Sequence, residues 1–113
     1  MTITPESAHD RSAPAVTLES DAGVARIVIA GTFSDAASAL AQELLVDACD
    51  RGTVGVTLAV EADVGPDDHA VLTHLVDVAQ RRCWAASCRL EVTAADPDVC
   101  EVLAAAGIWP TQV

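Results

Sequence analysis

The side chains in this sequence that could do chemistry are carboxylates, histidines and cysteines, and their spacing decides what chemistry is open to them. Glu61, Asp63, Asp67 and Asp68 crowd into one short stretch. Together they carry enough negative charge for a divalent cation, but they lack the ligand pattern of a calcium loop, so they read as solvated loop charge. His69 and His74 are five residues apart, which on a helix sets them about 140° apart and off any common face. A spacing of four, as in zinc proteases, would have joined them; no shared metal is expected. His74 is instead placed to pair with Asp77 on the surface, a contact worth a few tenths of a kcal/mol.

The cysteines are Cys49, Cys83, Cys88 and Cys100. Cys83 and Cys88 straddle a predicted helix-to-strand turn, without the spacing or the second pair that a zinc site needs. They are the two best placed to meet in space, and so are the candidates for a redox-responsive disulfide. Cys49 and Cys100 fall on predicted helices near apolar faces, where a free cysteine behaves as a small hydrophobe. The sequence has no Gly-x-Ser-x-Gly elbow and no glycine-rich phosphate loop. No catalytic residue, cofactor or metal site is assigned, and the chain reads as a binding domain rather than an enzyme.

The elements that would position these groups follow from periodicity and stop signals. Residues 16–20 read as a short edge strand, Asp21-Ala22-Gly23 as a turn, and the β-branched run VARIVIA at 24–30 as a buried strand forming a hairpin with the first. Ser34 fits an N-cap and Asp35 the first helical turn, where the helix dipole favours an anion. Ala37, Leu40, Ala41, Leu44, Leu45 and Ala48 then recur at helical spacing, and Gly52 fits the stop. Residues 54–60 (VGVTLAV) read as the next strand; strand, helix, strand in this order implies a right-handed parallel crossover. Pro66 fits the first position of a second helix, with Asp67 and Asp68 in its first turn. That helix shows an apolar face at Val71, Leu72, Leu75, Val76, Val78 and Ala79, through about Cys83, with Arg81 and Arg82 in its last turn. RLEVTA at 89–94 reads as a strand, Asp96-Pro97 as a third helix start, Gly107 as its stop, and Ile108 and Trp109 as able to fold back on the helix end.

The expected fold is therefore α/β: a four-stranded mixed sheet with three helices, mainly on one side, in the order ββαβαβα. The expected domain is 15–110, between an N-terminal tail (1–14) and a short C-terminal tail (111–113). A chain of 113 residues suits one such domain, and burying roughly two-thirds of its unfolded surface needs no disulfide or metal. The formal net charge is −11. That argues against nucleic acid, which needs clustered basic residues, and against an anionic membrane surface, and it favours a basic or neutral protein partner. The N-terminal stretch lacks the apolar core of a signal peptide, and no run is long enough to span a bilayer. A cytoplasmic location with reduced thiols is expected; oligomeric state is open.

The element order and several local runs resemble the STAS family. These runs are VARIVIAGTFSDAASAL at 24–40, AVLTHLVDVAQRRC at 70–83, and CRLEVTAADPDVCEVLAAAGI at 88–108. The resemblance covers about residues 16–109. It implies an anti-sigma factor antagonist, a regulatory module that binds a kinase-type anti-sigma factor; scaffold subunits of larger assemblies and small-molecule sensors are its other known uses. Switched members carry Asp-Ser-Ser-Gly or a close variant before the second helix and are phosphorylated on its first Ser or Thr. Here that stretch is Gly65-Pro66-Asp67-Asp68, with Pro66 at the modified position, and Ser34 replaces the family's Asp after the first strand. The middle-strand acid falls near Thr57. The implied partner-binding residues are Ser34, Asp35, Pro66, Asp67, Asp68 and His69, without the usual Ser/Thr switch.

Overall fold

The computed structural model describes residues 15–108 and 111–112. The tail expected over 1–14 and the fold-back expected of Trp109 lie outside them. The elements are β1 (Ala15–Asp21), β2 (Val24–Ala30), α1 (Asp35–Asp50), β3 (Gly55–Val60), a 3-10 turn (Pro66–Asp68), α2 (His69–Ala85), β4 (Arg89–Ala94), α3 (Pro97–Ala105) and the two-residue β5 (Thr111–Gln112). The sheet runs β1-β2-β3-β4-β5, with β1 antiparallel to β2 and every other pairing parallel. β5 adds a short strand outside the four that the sequence pattern reveals.

The hairpin arises locally. Ala22 and Gly23 both take positive φ (53° and 82°), the two-residue turn whose twist matches that of antiparallel strands. Beyond it, each parallel step moves one strand further across the sheet. Right-handed crossovers in one constant direction lay all their helices on one face. Strand alternation agrees. Ala25, Ile27 and Ile29 of β2, Val56, Leu58 and Val60 of β3, and Val92 and Ala94 of β4 join the core with Ala37, Ala41 and Leu45 of α1, Leu72, Leu75, Val76 and Ala79 of α2, and Val99 and Leu103 of α3. The opposite face carries a polar row in register, Glu19, Arg26, Thr57 and Glu91. Arg26 bridges Glu19 at 3.4 Å and Glu61 at 3.3 Å.

The small residues of α1 have a packing role. Ala37, Ala41 and Ala48 are almost fully buried and let the helix lie close to its neighbours, while Phe33, 1% exposed, is the only buried aromatic among the described residues. Asp77 pairs with Arg81 one turn on, at 3.1 Å. This replaces the His74–Asp77 pair expected from spacing; the guanidinium at i+4 carries a permanent charge and a fork of donors suited to a carboxylate.

All three helices end alike. The residue just past the cap is left-handed, and the one after it donates back to the last turn: Thr53 N–H to Ala48 O (3.4 Å), Cys88 N–H to Cys83 O (2.8 Å) and Ile108 N–H to Leu103 O (2.8 Å). These are Schellman motifs, and the left-handed position favours glycine. It is Gly52 in α1 and Gly107 in α3, but Ser87 (φ 57°) in α2. A side chain in this region costs about 1 kcal/mol that glycine avoids. Ser87→Gly is therefore expected to raise the unfolding free energy by about 0.5–1 kcal/mol, measured as a higher urea midpoint at unchanged slope.

Candidate functional site

Parallel strands that all end at one edge of the sheet start all three crossover helices there as well. The loops leaving β2 and β3 are tied together by backbone hydrogen bonds: Glu61 N–H to Ile29 O (2.8 Å), Asp63 N–H to Gly31 O (2.9 Å) and Phe33 N–H to Asp63 O (2.9 Å). With Phe33 buried beneath, this tie sets Ser34 and Asp35 beside the stretch leading to α2.

Each helix start is made differently. Ser34 is extended, and its Oγ accepts from Ala37 N–H at 3.2 Å, so the serine is the predicted N-cap; Asp35 is exposed in the first turn. Asp96 caps α3 by accepting from Asp98 N–H at 2.9 Å, with Pro97 following. The start of α2 departs from expectation. Instead of a continuous α-helix from Pro66, the chain makes a 3-10 turn over Pro66–Asp68, closed by Asp68 N–H to Gly65 O at 2.9 Å, and α2 begins at His69. Asp68 lies at φ −101°, ψ 2°, off the helical region, which explains the break. Neither Asp67 nor Asp68 caps a backbone N–H through its side chain.

The six residues expected to bind a partner gather at this end of the sheet, but of these only Asp35, Pro66 and His69 line the two grooves there. One, of about 390 Å³ between α1 and α2, is lined by Asp35, Ser38, Gln42, Ala70, Val71 and His74. The other, of about 420 Å³, lies between the 3-10 turn and α3 and is lined by Val64, Pro66, His69, Asp98, Glu101 and Val102. Asp67 is exposed and Asp68 half-buried, and they line neither groove. Leu72 belongs to the core, while Val71 is half-buried at the first groove. Sequence reasoning missed Ser38, His74, Asp98 and Glu101. Ser38 is 3% exposed and accepts from Gln42 Nε2 at 3.3 Å; a serine one turn inside an alanine-rich helix is the available signal. Asp98 and Glu101 join the site only because topology sets the start of α3 beside that of α2.

The electrostatics are one-sided. The ion pairs among the described residues are Arg26 with Glu19 and Glu61, Arg51 with Asp47, and Arg81 with Asp77. None involves Asp35, Asp63, Asp67, Asp68, Asp98 or Glu101, so this end presents carboxylates and two imidazoles. Among the described residues no group of three side chains is arranged to hold a metal ion, and no helix is long and apolar enough to cross a membrane.

Three of the four cysteines, Cys49, Cys83 and Cys88, lie at the opposite end; Cys100 sits near the start of α3. Cys83 is buried in the last turn of α2, and Cys88 is half-buried just past it. Cys49, from the last turn of α1, is also a neighbour of Cys83, which spacing alone did not indicate. Burial pushes the Cys83 thiol well up, with help from its two sulfur neighbours, and burial also raises Cys49.

With this geometry the domain is a STAS-like fold: a mixed sheet led by a hairpin, with three crossover helices on one face and their starts gathered at one end. Among solved structures it is similar to the anti-sigma factor antagonist SpoIIAA in its unphosphorylated form, with a TM-score of 0.72 and 17% sequence identity over 88% of each chain. No protein-family model and no curated protein matches the sequence.

Two predictions follow from these side chains. Ser34→Ala removes the cap of α1 and is expected to cost about 1 kcal/mol of stability, whereas Ser34→Asp keeps an acceptor there and should cost little; chemical denaturation of the two variants checks this. The chain contains neither lysine nor tyrosine, so the thiols dominate its alkaline titration. A thiol whose pKa is raised by folding keeps its proton while the unfolded chain loses it. Stability is then whole below the ordinary thiol pKa of 9.0 and declines as pH rises above it. Urea midpoints measured across that boundary should fall, and the fall should be smaller in Cys83→Ala.

Proposed function

We propose that this domain is a regulatory protein-binding module of the anti-sigma factor antagonist kind. It docks a kinase-type anti-sigma factor through the end that carries Ser34, Asp35, Pro66, Asp67, Asp68 and His69, and it does so without a Ser/Thr phosphorylation switch. The observation that carries this reading is the fold shared with SpoIIAA across most of both chains. The acidic grooves favour a partner with basic side chains. A switched relative gains a phosphoryl group at the head of its second helix, which adds about two negative charges. Pro66 has no hydroxyl to accept one. The first hydroxyl along α2 is Thr73, and its Oγ1 already donates to His69 O at 2.9 Å. Asp67 and Asp68 keep negative charge permanently at that place. Two roles compete for them: a fixed imitation of the phosphorylated state, and plain compensation of the helix dipole.

The test is affinity capture from a lysate of the host, followed by titration of the captured protein with and without Mg-ATP. An anti-sigma factor whose binding is unaffected by ATP, with no phosphate incorporated into this domain, is the expected result. Capture of a transporter or of a large assembly of similar domains would overturn the antagonist reading in favour of a scaffold. In the same titration, the Asp67→Asn/Asp68→Asn double variant should bind more tightly if the carboxylates imitate a phosphate; unchanged affinity would assign them to the helix dipole.

A further inference from the structure

The end of α2 brings two thiols together by backbone geometry. In a Schellman motif the residue three places inside the helix cap and the residue two places beyond it are hydrogen-bonded through the backbone, and their side chains touch, ordinarily in an apolar contact. In α3 these residues are Leu103 and Ile108, both buried. In α2 they are Cys83 and Cys88, joined by Cys88 N–H to Cys83 O at 2.8 Å and supported by Ser87 N–H to Trp84 O at 3.2 Å. A cleft of about 500 Å³ opens beside them, lined by Gln80, Cys83, Trp84, Cys88, Leu90 and Ile108. Trp84 stands 88% exposed at it. Cys100 sits near the start of α3, its thiol directed at Ala94 O at 3.8 Å, while the Cys88 thiol is directed at Arg89 O at 3.7 Å.

We propose that Cys83 and Cys88 form a modification site for hydroperoxides, in which Cys88 is oxidised first and Cys83 closes an intramolecular disulfide. In the first step the Cys88 sulfur attacks the peroxide, the O–O bond breaks, and the departing oxygen takes up the thiol proton and leaves as water, or as an alcohol from an organic peroxide. Cys88 is now a sulfenic acid. In the second step the Cys83 sulfur displaces the hydroxyl from Cys88; the S–O bond breaks, the S–S bond forms, and the hydroxyl leaves as water with the Cys83 proton. Two thiols have lost two electrons and one peroxide has gained them.

Accessibility assigns the roles. Both line the cleft, but Cys88 is half-buried whereas Cys83 is only 2% exposed. Burial also holds Cys83 in its neutral thiol form, which reacts slowly with peroxide, so it waits to resolve the sulfenic acid. Closure should therefore quicken as pH rises. Cys49, beside Cys83, is the competing partner.

The test uses the full reduced chain with one equivalent of hydrogen peroxide. Remaining thiols are then alkylated, and the product is read by intact mass and by a non-reducing peptide map. The expected result is loss of two of the four thiols, with Cys83 cross-linked to Cys88 and the protein still monomeric by mass. Cys83→Ser should instead leave a Cys88 sulfenic acid that dimedone traps, and Cys49→Ser should leave the bridge unchanged. Four free thiols after oxidation, a bridge between Cys49 and Cys83, or a dimer linked through Cys88 would each overturn the proposal. The outcome is independent of whether an anti-sigma factor binds at the other end.

Discussion

Parallel pairing of β2, β3 and β4 is the constraint from which the rest of this domain follows. Strands that all run one way must all be re-entered from the same end, so every crossover helix runs back against them. Three helix starts then lie at the carboxyl ends of the strands and three helix ends at the other. Because the strands advance in one direction across the sheet, right-handed crossovers leave the helices on a single face. The hairpin is the exception that permits this. β1 closes one edge with a local two-residue turn and leaves its neighbour's other side free to begin the parallel series.

The two ends inherit opposite backbone polarity, and the side chains answer it. Partial positive charge at three helix starts favours anions, and Asp35, Asp67, Asp68, Asp96 and Asp98 all fall there. At the helix ends the exposed carbonyls are met by Schellman hydrogen bonds rather than by cations alone. Arg51 and Arg81 are already committed to carboxylates one turn earlier in their own helices. A net charge of −11 is therefore not spread evenly. Much of it gathers where backbone geometry makes carboxylates least costly, at the carboxyl ends of the parallel strands.

Much of the architecture was legible because it is written in local signals. A β-branched run marked β2 and alternation marked β4, helical spacing marked the buried stripes of α1 and α2, and Gly52 and Gly107 marked helix stops by the one backbone region that glycine alone enters freely. What escaped depends on contacts distant in sequence or on subtleties of turn geometry. β5 is two residues long and exists only by pairing with Thr93 and Ala94. The 3-10 turn before α2 reflects the conformation of Asp68, which helix-start signals do not encode. The candidate site was legible in part: Pro66, His69 and Asp35 were found in order along the chain, but Asp98 and Glu101 share a groove with His69 only through the sheet order. Cys49 likewise reached Cys83 only through the packing of α1 on α2. Ser87 hid its role because it is not the glycine that its backbone conformation favours.

Helix α2 connects the two ends. Seventeen residues span about 25 Å, with the acidic turn at one terminus and the thiol pair at the other. Leu72, Leu75, Val76, Ala79 and Cys83 form one buried stripe along it, so the helix is held along its length by the same core that holds the sheet. Close-packed interiors do not deform continuously, so a change at either terminus stays local unless it shifts the helix as a body. The lack of a hydroxyl at Pro66 bears on this. A phosphoryl group at the head of α2 would act there directly, by charge, and would need no such movement. A disulfide at the far end adds no charge, and so cannot replace that switch by electrostatics. It would reach the acidic end only by moving α2, against the packing of five buried side chains.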